Sequence, residues 1–258
     1  MKPFYQKKLA RKMRFISDQA GIMDRYLREQ ENWSMHLLNT RQFILDAFTG
    51  RNIETVAVFG TGWLLDLPIE ALAGKFKTVL LVDVHHPPQV RKKVEPYPNV
   101  QLFESDLTGG GMNFCWKLSK AQVKSPENDP FEEFMPVHPE LPVIADAFIS
   151  LNILNQLDIL LVDFLKRKNF RLNESGIRNF RGKIQQFHLD WITEKPGCLV
   201  TDIAEIVAEP GRGSSEKSLL HADLPTGKRN MEWIWDFDLS GFYHPDKETR
   251  LTVRAIEW

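Results

Sequence analysis

The sequence predicts an α/β protein built on a doubly wound, mostly parallel sheet of seven strands that ends in an antiparallel strand. Two observations carry this prediction. Short, mostly apolar runs alternate with helical segments after residue 50, and such runs are typical of parallel strands that helices cover on both faces. The end of the chain instead alternates apolar and polar side chains, which is typical of an antiparallel hairpin.

Residues 1–50 are predicted to form a helical N-terminal extension, and residues 51–258 to form the main domain. Apolar side chains recur at three- and four-residue steps through the first segment, as they do on the buried face of a helix. Asn32 or Ser34 is the predicted N-cap of a second helix there, because short polar side chains satisfy the free N–H groups of a first turn. Gly50 is the predicted helix stop.

Five apolar runs predict the parallel strands of the main domain, and each is followed by a polar residue or a glycine. Segments of helical composition lie between or after them, which is the order expected for a sheet with helices on both faces. The predicted strands begin at residues 55, 78, 100, 145 and 197, and the predicted helices include 64–72, 151–168 and 174–193.

The tail and two irregular stretches complete the main domain. Residues 232–238 and 251–258 predict a hairpin-like pair of strands that closes the sheet. Residues 126–142, which are rich in proline, and residues 209–228 are predicted to be loops. Long loops inside a compact domain are uncommon and often functional, so both are expected to lie near a binding site.

Composition and charge exclude several classes of protein. The formal net charge is −1, and proteins that neutralise many phosphates usually carry a basic excess, so no large nucleic-acid footprint is expected. Cys115 and Cys198 are too few for a disulfide framework or a cysteine-rich zinc site. The sequence shows neither a secretory signal nor a bilayer-spanning stretch, so we expect a cytoplasmic protein without a membrane partner. The oligomeric state is left open.

The turn Phe59-Gly60-Thr61-Gly62 carries the strongest functional signal, because it lies between the first buried strand and the predicted helix that follows. Glycines let the backbone turn tightly and approach a ligand without a Cβ in the way. The helix behind the turn would also present its free N–H groups to a ligand. A tight turn that binds no ligand is the alternative interpretation.

Two aspartates follow the second and third strands. Asp83 lies about twenty residues beyond the glycine turn, where nucleotide-binding folds place a carboxylate that accepts hydrogen bonds from ribose hydroxyls. Asp106, or the backbone beside it, is a candidate for recognising the exocyclic amine of adenine. An N-cap role for Asp83 and an ordinary turn at Asp106 are the alternatives.

Polar residues also leave the fourth strand, at Ser150 and Asn152, with Asn155 and Gln156 one turn further. Ligands of open α/β sheets bind outside the carboxyl ends of the strands, so these side chains are candidates for contacts with a cofactor or a substrate. Capping of the next helix is the alternative for Asn152.

Four elements follow one another along the chain: the glycine turn, the acidic end of the second strand, the aspartate after the third strand and the polar end of the fourth strand. In this order they resemble the class I S-adenosylmethionine-dependent methyltransferases, which have a Rossmann-like fold. The resemblance spans roughly residues 53–258, including the final hairpin. It implies an enzyme that uses S-adenosylmethionine as cofactor and methylates a small molecule or a protein side chain, of which the small molecule is the favoured acceptor. It also implies that the glycine turn surrounds the methionine part of the cofactor. The residues implied to bind the cofactor are Phe59, Gly60, Thr61, Gly62, Asp83, Val84, Asp106, Leu107, Leu151 and Asn152.

The sequence departs from the family pattern where Leu64 or Leu65 takes the place of a third glycine. This departure leaves open a non-catalytic binding or scaffold protein that keeps the fold. A nucleotide-binding oxidoreductase is the second alternative, although the dinucleotide fingerprint needs the same third glycine for close helix–strand packing. No catalytic residue is predicted, because isolated histidines such as His188 are more often structural. No metal site is predicted from the spacing of potential ligands.

Overall fold

The computed structural model describes residues 3–121, 129–209 and 211–258. Its described part contains one sheet of eight strands, seven of them in the order β3-β2-β1-β4-β5-β8-β7, with β6 paired to the extended end of β5. The predicted doubly wound, mostly parallel sheet with an antiparallel C-terminal strand is confirmed, and β6 adds one strand to the seven expected. The strands are β1 Thr55–Phe59, β2 Thr78–Asp83, β3 Val100–Glu104, β4 Ala147–Leu151, β5 Gly197–Glu209, β6 Gly213–Ser218, β7 Arg229–Asp238 and β8 Glu248–Glu257.

Seven helices accompany the sheet in the described residues. None of the helices described is long and apolar enough to cross a membrane. The helices are α1 Pro3–Lys12, α2 Phe15–Ala47, α3 Ile69–Lys75, α4 Pro88–Val94, α5 Gly111–Leu118, α6 Gln156–Arg167 and α7 Glu174–Ile192.

Both faces of the sheet are buried, as the apolar strands predict. Along β1, Val56 and Val58 belong to a core that includes residues of α2, α3 and α4. Ala57 and Phe59 alternate with them and join a second core with residues of α5, α6 and α7. Successive side chains of a strand point to opposite faces, so a strand that is apolar throughout needs helices on both sides.

The N-terminal residues are helical as predicted, but the break between the two helices lies elsewhere. Arg14 has φ 74 and separates α1 from α2, whereas Asn32 and Ser34 lie inside α2. The helix instead kinks at Glu29, whose φ and ψ are −108 and 21. Trp33 follows the kink, and its indole N–H donates to Phe237 O at 2.9 Å, which ties the second part of the helix to β7. The predicted boundary between two units at residue 50 stays a prediction.

Two helices of the main domain begin later than predicted. The helix expected over 64–72 begins at Ile69, and the one expected from residue 151 begins at Gln156. Leu64 and Asn152 have φ values of 57 and 47, and such left-handed residues interrupt a right-handed helix. The fourth strand is shifted as well, to Ala147–Leu151 instead of 145–149. The chain therefore forms a turn after β1 and another after β4 before the next helix begins.

The two predicted loops also differ from expectation. Residues 213–218 form β6, which pairs antiparallel with the second half of β5. All six of these residues are exposed and the run is polar, so it lacks the alternation that predicts a strand. Of the predicted loop 126–142, residues 126–128 lie outside the described residues, and residues 129–142 contain neither helix nor strand.

Candidate functional site

A cavity of about 460 Å³ lies at the carboxyl ends of the parallel strands. It spans the point between β1 and β4 where the strand order reverses, which is where open α/β sheets bind their ligands. Nine of the ten residues predicted to bind a cofactor line it. The exception is Phe59, whose ring is fully buried in the second core and lies 4.7 Å from the Trp191 ring, centroid to centroid. The strand alternation that buries this ring directs it away from the cavity.

Gly60 makes a close contact within the protein. It has φ +80, and a Cβ there would lie 2.5 Å from Leu151 O and 2.6 Å from Ile153 Cβ. The backbone leaving β4 therefore occupies the space that a side chain would need. Gly62 differs, because it has φ +47 and a Cβ there would meet no described atom within 4 Å. Of the two glycines, Gly62 is the one that leaves open space beside the cavity.

The glycine turn does not lead directly into a helix. Leu64 N donates to Thr61 O at 2.9 Å, which closes a tight turn, and α3 begins only at Ile69, after Pro68. The expectation that a helix N-terminus faces the ligand is therefore wrong. Any backbone hydrogen bonds to a ligand here must come from the turn itself.

Asp83 is fixed against the glycine turn. Its Oδ2 accepts the Gly62 N–H at 2.7 Å and its Oδ1 accepts the Val84 N–H at 2.7 Å. Burial raises the pKa of this carboxyl, while nearby His86 and the backbone donors act in the opposite direction. A carboxylate has about four lone-pair sites, so two accepted hydrogen bonds leave capacity for hydroxyl donors of a ligand.

Asp106 is the second acidic group at the cavity. Its Oδ1 accepts from Thr108 N at 2.9 Å and from Thr108 Oγ1 at 2.5 Å. Its Oδ2 is buried and has no hydrogen-bond partner among the described residues. Burial raises the pKa of Asp106, and the bonds from Thr108 oppose that rise. The turn that the sequence suggested as an alternative is present, yet one carboxyl oxygen remains free for a ligand.

Asn152 occupies a strained turn at the end of β4. It has φ 47, and its N–H donates to Val200 O at 2.8 Å. Its Nδ2 donates to Asp66 Oδ2 at 2.7 Å, and its Oδ1 has no partner among the described residues. A non-glycine residue in the left-handed region costs free energy and often marks a functional site.

Ser150 lies on the other face of β4 and does not line the cavity. Its Oγ is 2.8 Å from His188 Nε2, and both residues are almost fully buried. Burial lowers the pKa of His188 to about 3, so this histidine is neutral. His188 is thus part of the second core, as expected for an isolated histidine.

The two histidines that follow Asp83 also have structural surroundings. His85 Nδ1 lies 3.0 Å from Glu104 Oε1, and the ring of buried His86 lies 3.2 Å from Leu81 O. Within the described residues, no group of three or more His, Cys, Asp or Glu is placed to hold a metal ion.

One wall of the cavity is formed by residues that the sequence analysis missed. Some belong to α2. Because this helix lies far from the glycine turn in the sequence, nothing indicated that it reaches the cavity. Asp202 had a usable signal, since it follows the apolar run of β5 at the same edge of the sheet as Asp83. The missed lining residues include Phe15, Ile22, Arg25, His36, Asp66, Asp202 and Tyr243.

Seven polar atoms on the cavity wall are buried without a hydrogen-bond partner among the described residues. Nearly all buried polar groups in proteins are hydrogen-bonded, so a convergence of unpaired ones indicates a place for water or a ligand. Five are oxygens and two are nitrogens: Thr61 Oγ1, Asp106 Oδ2, Asn152 Oδ1, Asn155 Oδ1, Asp202 Oδ1, Arg25 Nε and Trp235 Nε1.

No protein-family model matches the sequence, and no curated protein matches it. Solved structures with some similarity include methyltransferases that were crystallised with S-adenosylhomocysteine. The N-methyltransferase NodS of Bradyrhizobium japonicum is 10% identical over 85% of this chain and 86% of that chain, with a TM-score of 0.39. Coclaurine N-methyltransferase is 11% identical over 86% and 72%, with a TM-score of 0.43. Because TM-scores below 0.5 at such low identity are weak likenesses, the function proposed below rests on the geometry of the site.

Proposed function

We propose that this protein is a methyltransferase that uses S-adenosylmethionine and methylates a small molecule. The bond between Asp83 and the glycine turn carries the proposal. Asp83 Oδ2 accepts the Gly62 N–H at 2.7 Å, so a carboxylate suited to ribose hydroxyls is held beside a turn with open space next to it. The position is the carboxyl edge of the sheet at its switch point, where this fold binds nucleotides.

The residues present fit the parts of S-adenosylmethionine. Asp83 offers its remaining lone pairs to the ribose, and the unpaired Oδ2 of Asp106 can accept a hydrogen bond from the adenine amine. A cavity of about 460 Å³ is within the usual size range of small-molecule sites. When bound, the cofactor supplies an electrophilic methyl group on a positively charged sulfur, and the surrounding carboxylates favour that charge.

A small acceptor is supported by the way α2 covers the cavity. Phe15, Ile22 and Arg25 of this helix line it together with the residues at the strand ends. A cavity covered in this way suits a compact molecule better than an extended polymer.

The two alternative functions fit the structure less well. In dinucleotide-binding folds the pyrophosphate lies at the N-terminus of the helix after the glycine turn, and here that helix begins only at Ile69. The missing third glycine is also compatible with a working cavity. Leu64 takes a left-handed φ of 57 and buries its side chain fully in the first core, which keeps the side chain out of the cavity.

Calorimetric titration of the purified protein with S-adenosylmethionine, S-adenosylhomocysteine and NADH tests the proposal. We expect micromolar binding of the first two and no binding of NADH. Asp83→Asn is expected to weaken S-adenosylhomocysteine binding roughly 5- to 150-fold, which corresponds to about 1–3 kcal/mol for a lost charged hydrogen-bond partner. Absence of S-adenosylhomocysteine binding by the wild type would overturn the proposal.

Asp146→Asn is the matched control. The Asp146 carboxylate also accepts two backbone N–H groups, those of Glu54 and Thr55 at 3.2 and 2.9 Å, but at the opposite end of β1. Both substitutions remove a carboxylate that ties the backbone at one end of this strand. Only Asp83→Asn should change the affinity, and an equal loss in both variants would show that the loss comes from damage to the sheet.

A further inference from the structure

The wall of the cavity beyond the cofactor residues contains a second group of polar side chains. His36 comes from α2, Asp66 from the segment after β1, Asn152 and Asn155 from the turn after β4, and Asp202 from β5. His36, Asn155 and Asp202 are at most 5% exposed. Four separate parts of the chain therefore bring polar groups to one buried place.

Asp202 lies at an irregular position of β5. The pairing of β5 with β8 shifts register between Asp202 and Ala204, so one residue of β5 has no counterpart on β8. Such bulges redirect side chains and are frequent next to active sites. Asp202 Oδ1 is buried and has no hydrogen-bond partner among the described residues. The Oδ1 of neighbouring Asn155 is unpaired in the same way, so an amide oxygen as well as a carboxylate oxygen has room for a ligand here.

The surroundings of Asp202 make it a group that can exchange a proton near neutral pH. Burial raises the pKa of Asp202 to about 7, the Asn155 side chain lowers it by a hydrogen bond, and the charge of Asp66 raises it. Tyr243 also faces Asp202, and its own pKa is raised by burial and by nearby carboxylates. A general base is most effective when its pKa lies near the working pH.

His36 cannot take this role. The indole Nε1–H of Trp233 donates to His36 Nδ1 at 3.2 Å, and an indole can only donate, so in neutral His36 the proton is on Nε2. The neighbouring Asn152 Nδ2, at 3.4 Å from Nε2, is itself a donor. Burial lowers the pKa of His36 to about 3. His36 can therefore donate a hydrogen bond to a ligand, but it cannot accept the ligand's proton.

The charge of the cavity favours a cationic ligand. Seven carboxyl groups and a single guanidinium, that of Arg25, line it among the described residues. Arg25 is already engaged by aromatic rings, since its guanidinium lies 4.4 Å from the Phe237 centroid and 4.7 Å from that of Tyr243. Apolar side chains such as Trp33, Trp235 and Phe237 form the rest of this wall. A ligand that matches it carries a positive or proton-donating nitrogen on an apolar frame.

We propose that Asp202, with Asp66 beside it, binds the amino group of a small apolar or aromatic amine as the methyl acceptor and removes its proton. This inference rests on the proposed function and names the acceptor class of the same cavity. The carboxylate of Asp202 first takes one proton from the bound ammonium group, which leaves a lone pair on the nitrogen, and later returns that proton to solvent. The lone pair then forms a bond to the methyl carbon while the carbon–sulfur bond breaks and leaves its electron pair on sulfur, so the product leaves as an N-methylammonium ion.

Binding of amines and matched alcohols tests the inference. 2-Phenylethylamine and cyclohexylamine are titrated against 2-phenylethanol and cyclohexanol by calorimetry, with and without saturating S-adenosylhomocysteine. We expect each amine to bind the wild type at least tenfold more tightly than its alcohol. Asp202→Asn should reduce amine affinity tenfold or more and leave S-adenosylhomocysteine affinity within about twofold. Asp146→Asn, outside the cavity, should change neither affinity.

The outcomes separate this inference from the proposed function. Equal binding of amines and alcohols, no amine binding, or unchanged amine affinity in a folded Asp202→Asn variant would overturn the amine site. Failure of the wild type to bind S-adenosylhomocysteine would overturn the methyltransferase instead, and the titrations without it would still decide whether the cavity selects amines through Asp202.

Discussion

Substituting Gly60 and Gly62 of the turn distinguishes an effect on protein stability from an effect on ligand binding. In Gly60→Ala the new Cβ would lie 2.5 Å from Leu151 O and 2.6 Å from Ile153 Cβ, and the backbone has φ +80. In Gly62→Ala the backbone has φ +47, but the Cβ meets no described atom within 4 Å. Both variants add the same methyl group to the same turn, so each serves as the control for the other.

The magnitudes follow from the two contacts. A left-handed conformation costs a residue with a Cβ about 1–2 kcal/mol, and both variants incur this cost. Overpacking adds about 1–3 kcal/mol where neighbouring atoms must move, which applies to Gly60 alone because a backbone carbonyl is in the way. We therefore expect Gly60→Ala to lower the free energy of unfolding by about 2–5 kcal/mol and Gly62→Ala by about 1–2 kcal/mol.

Urea unfolding followed by circular dichroism measures the free energy of unfolding of both variants. Calorimetry with S-adenosylhomocysteine measures their affinity for the ligand. The methyl group of Gly62→Ala is expected to narrow the open space beside the cavity and weaken binding at least tenfold. A Gly60→Ala variant as stable as the wild type would refute the reasoning about the close approach of the β4 end. A Gly62→Ala variant that binds with wild-type affinity would place the ligand elsewhere.

Three further predictions concern the two cores and the cavity. Burial raises the pKa of Asp202 to about 7, so its ionisation opposes folding. Relative to Asp202→Asn, the free energy of unfolding of the wild type in urea should fall by about 4 kcal/mol between pH 4 and 7 and stay level above pH 7. If the two proteins instead change in parallel across that range, the prediction is contradicted. Trp33→Ala should lower the free energy of unfolding in urea by about 3–5 kcal/mol because the ring is buried. Leu27 lies on the same helix and is 59% exposed, so Leu27→Ala should lower it by about 0.5 kcal/mol or less. Similar decreases in the two variants would contradict the packing of α2. Ser150→Ala removes the hydrogen-bond partner of the buried His188 ring and should lower the free energy of unfolding by about 1–3 kcal/mol. Calorimetry should show unchanged affinity for S-adenosylhomocysteine, and weaker binding would show that Ser150 reaches the ligand.

Local patterns predicted the sheet because the strands carry their signal in consecutive residues. Residues 56–59 are apolar and buried, and the predicted bounds 55–59 match those of β1. Asp83 was placed at the cavity for the same reason, since a strand end fixes the position of the next polar residue. Signals that depend on backbone conformation were not visible: the left-handed φ of Leu64 and Asn152 delayed two helices, and neither residue type favours that conformation enough to predict it.

Contacts between distant parts of the chain account for the residues that were missed. His36 reaches the cavity because α2 packs on β7, where its ring stacks 3.8 Å from that of Trp235. Nothing in the residues around His36 predicts a partner about two hundred positions away in the chain, since helical periodicity indicates only which face is buried. The sequence therefore predicted the side of the cavity that strand ends form, and missed the side that α2 covers.

The unpaired polar atoms give an argument for function that is independent of family resemblance. Leaving a buried donor or acceptor without a partner costs about 1–3 kcal/mol, and apolar replacements of similar shape would avoid that cost. Asp106, Asn155 and Asp202 each carry such an atom on the wall of the same cavity. The stability of the fold alone gives no reason for three such groups to converge there. A ligand that offers donors to both the cofactor side and the Asp202 side would satisfy them together, which is what a methyl donor and an amine acceptor bound side by side would do.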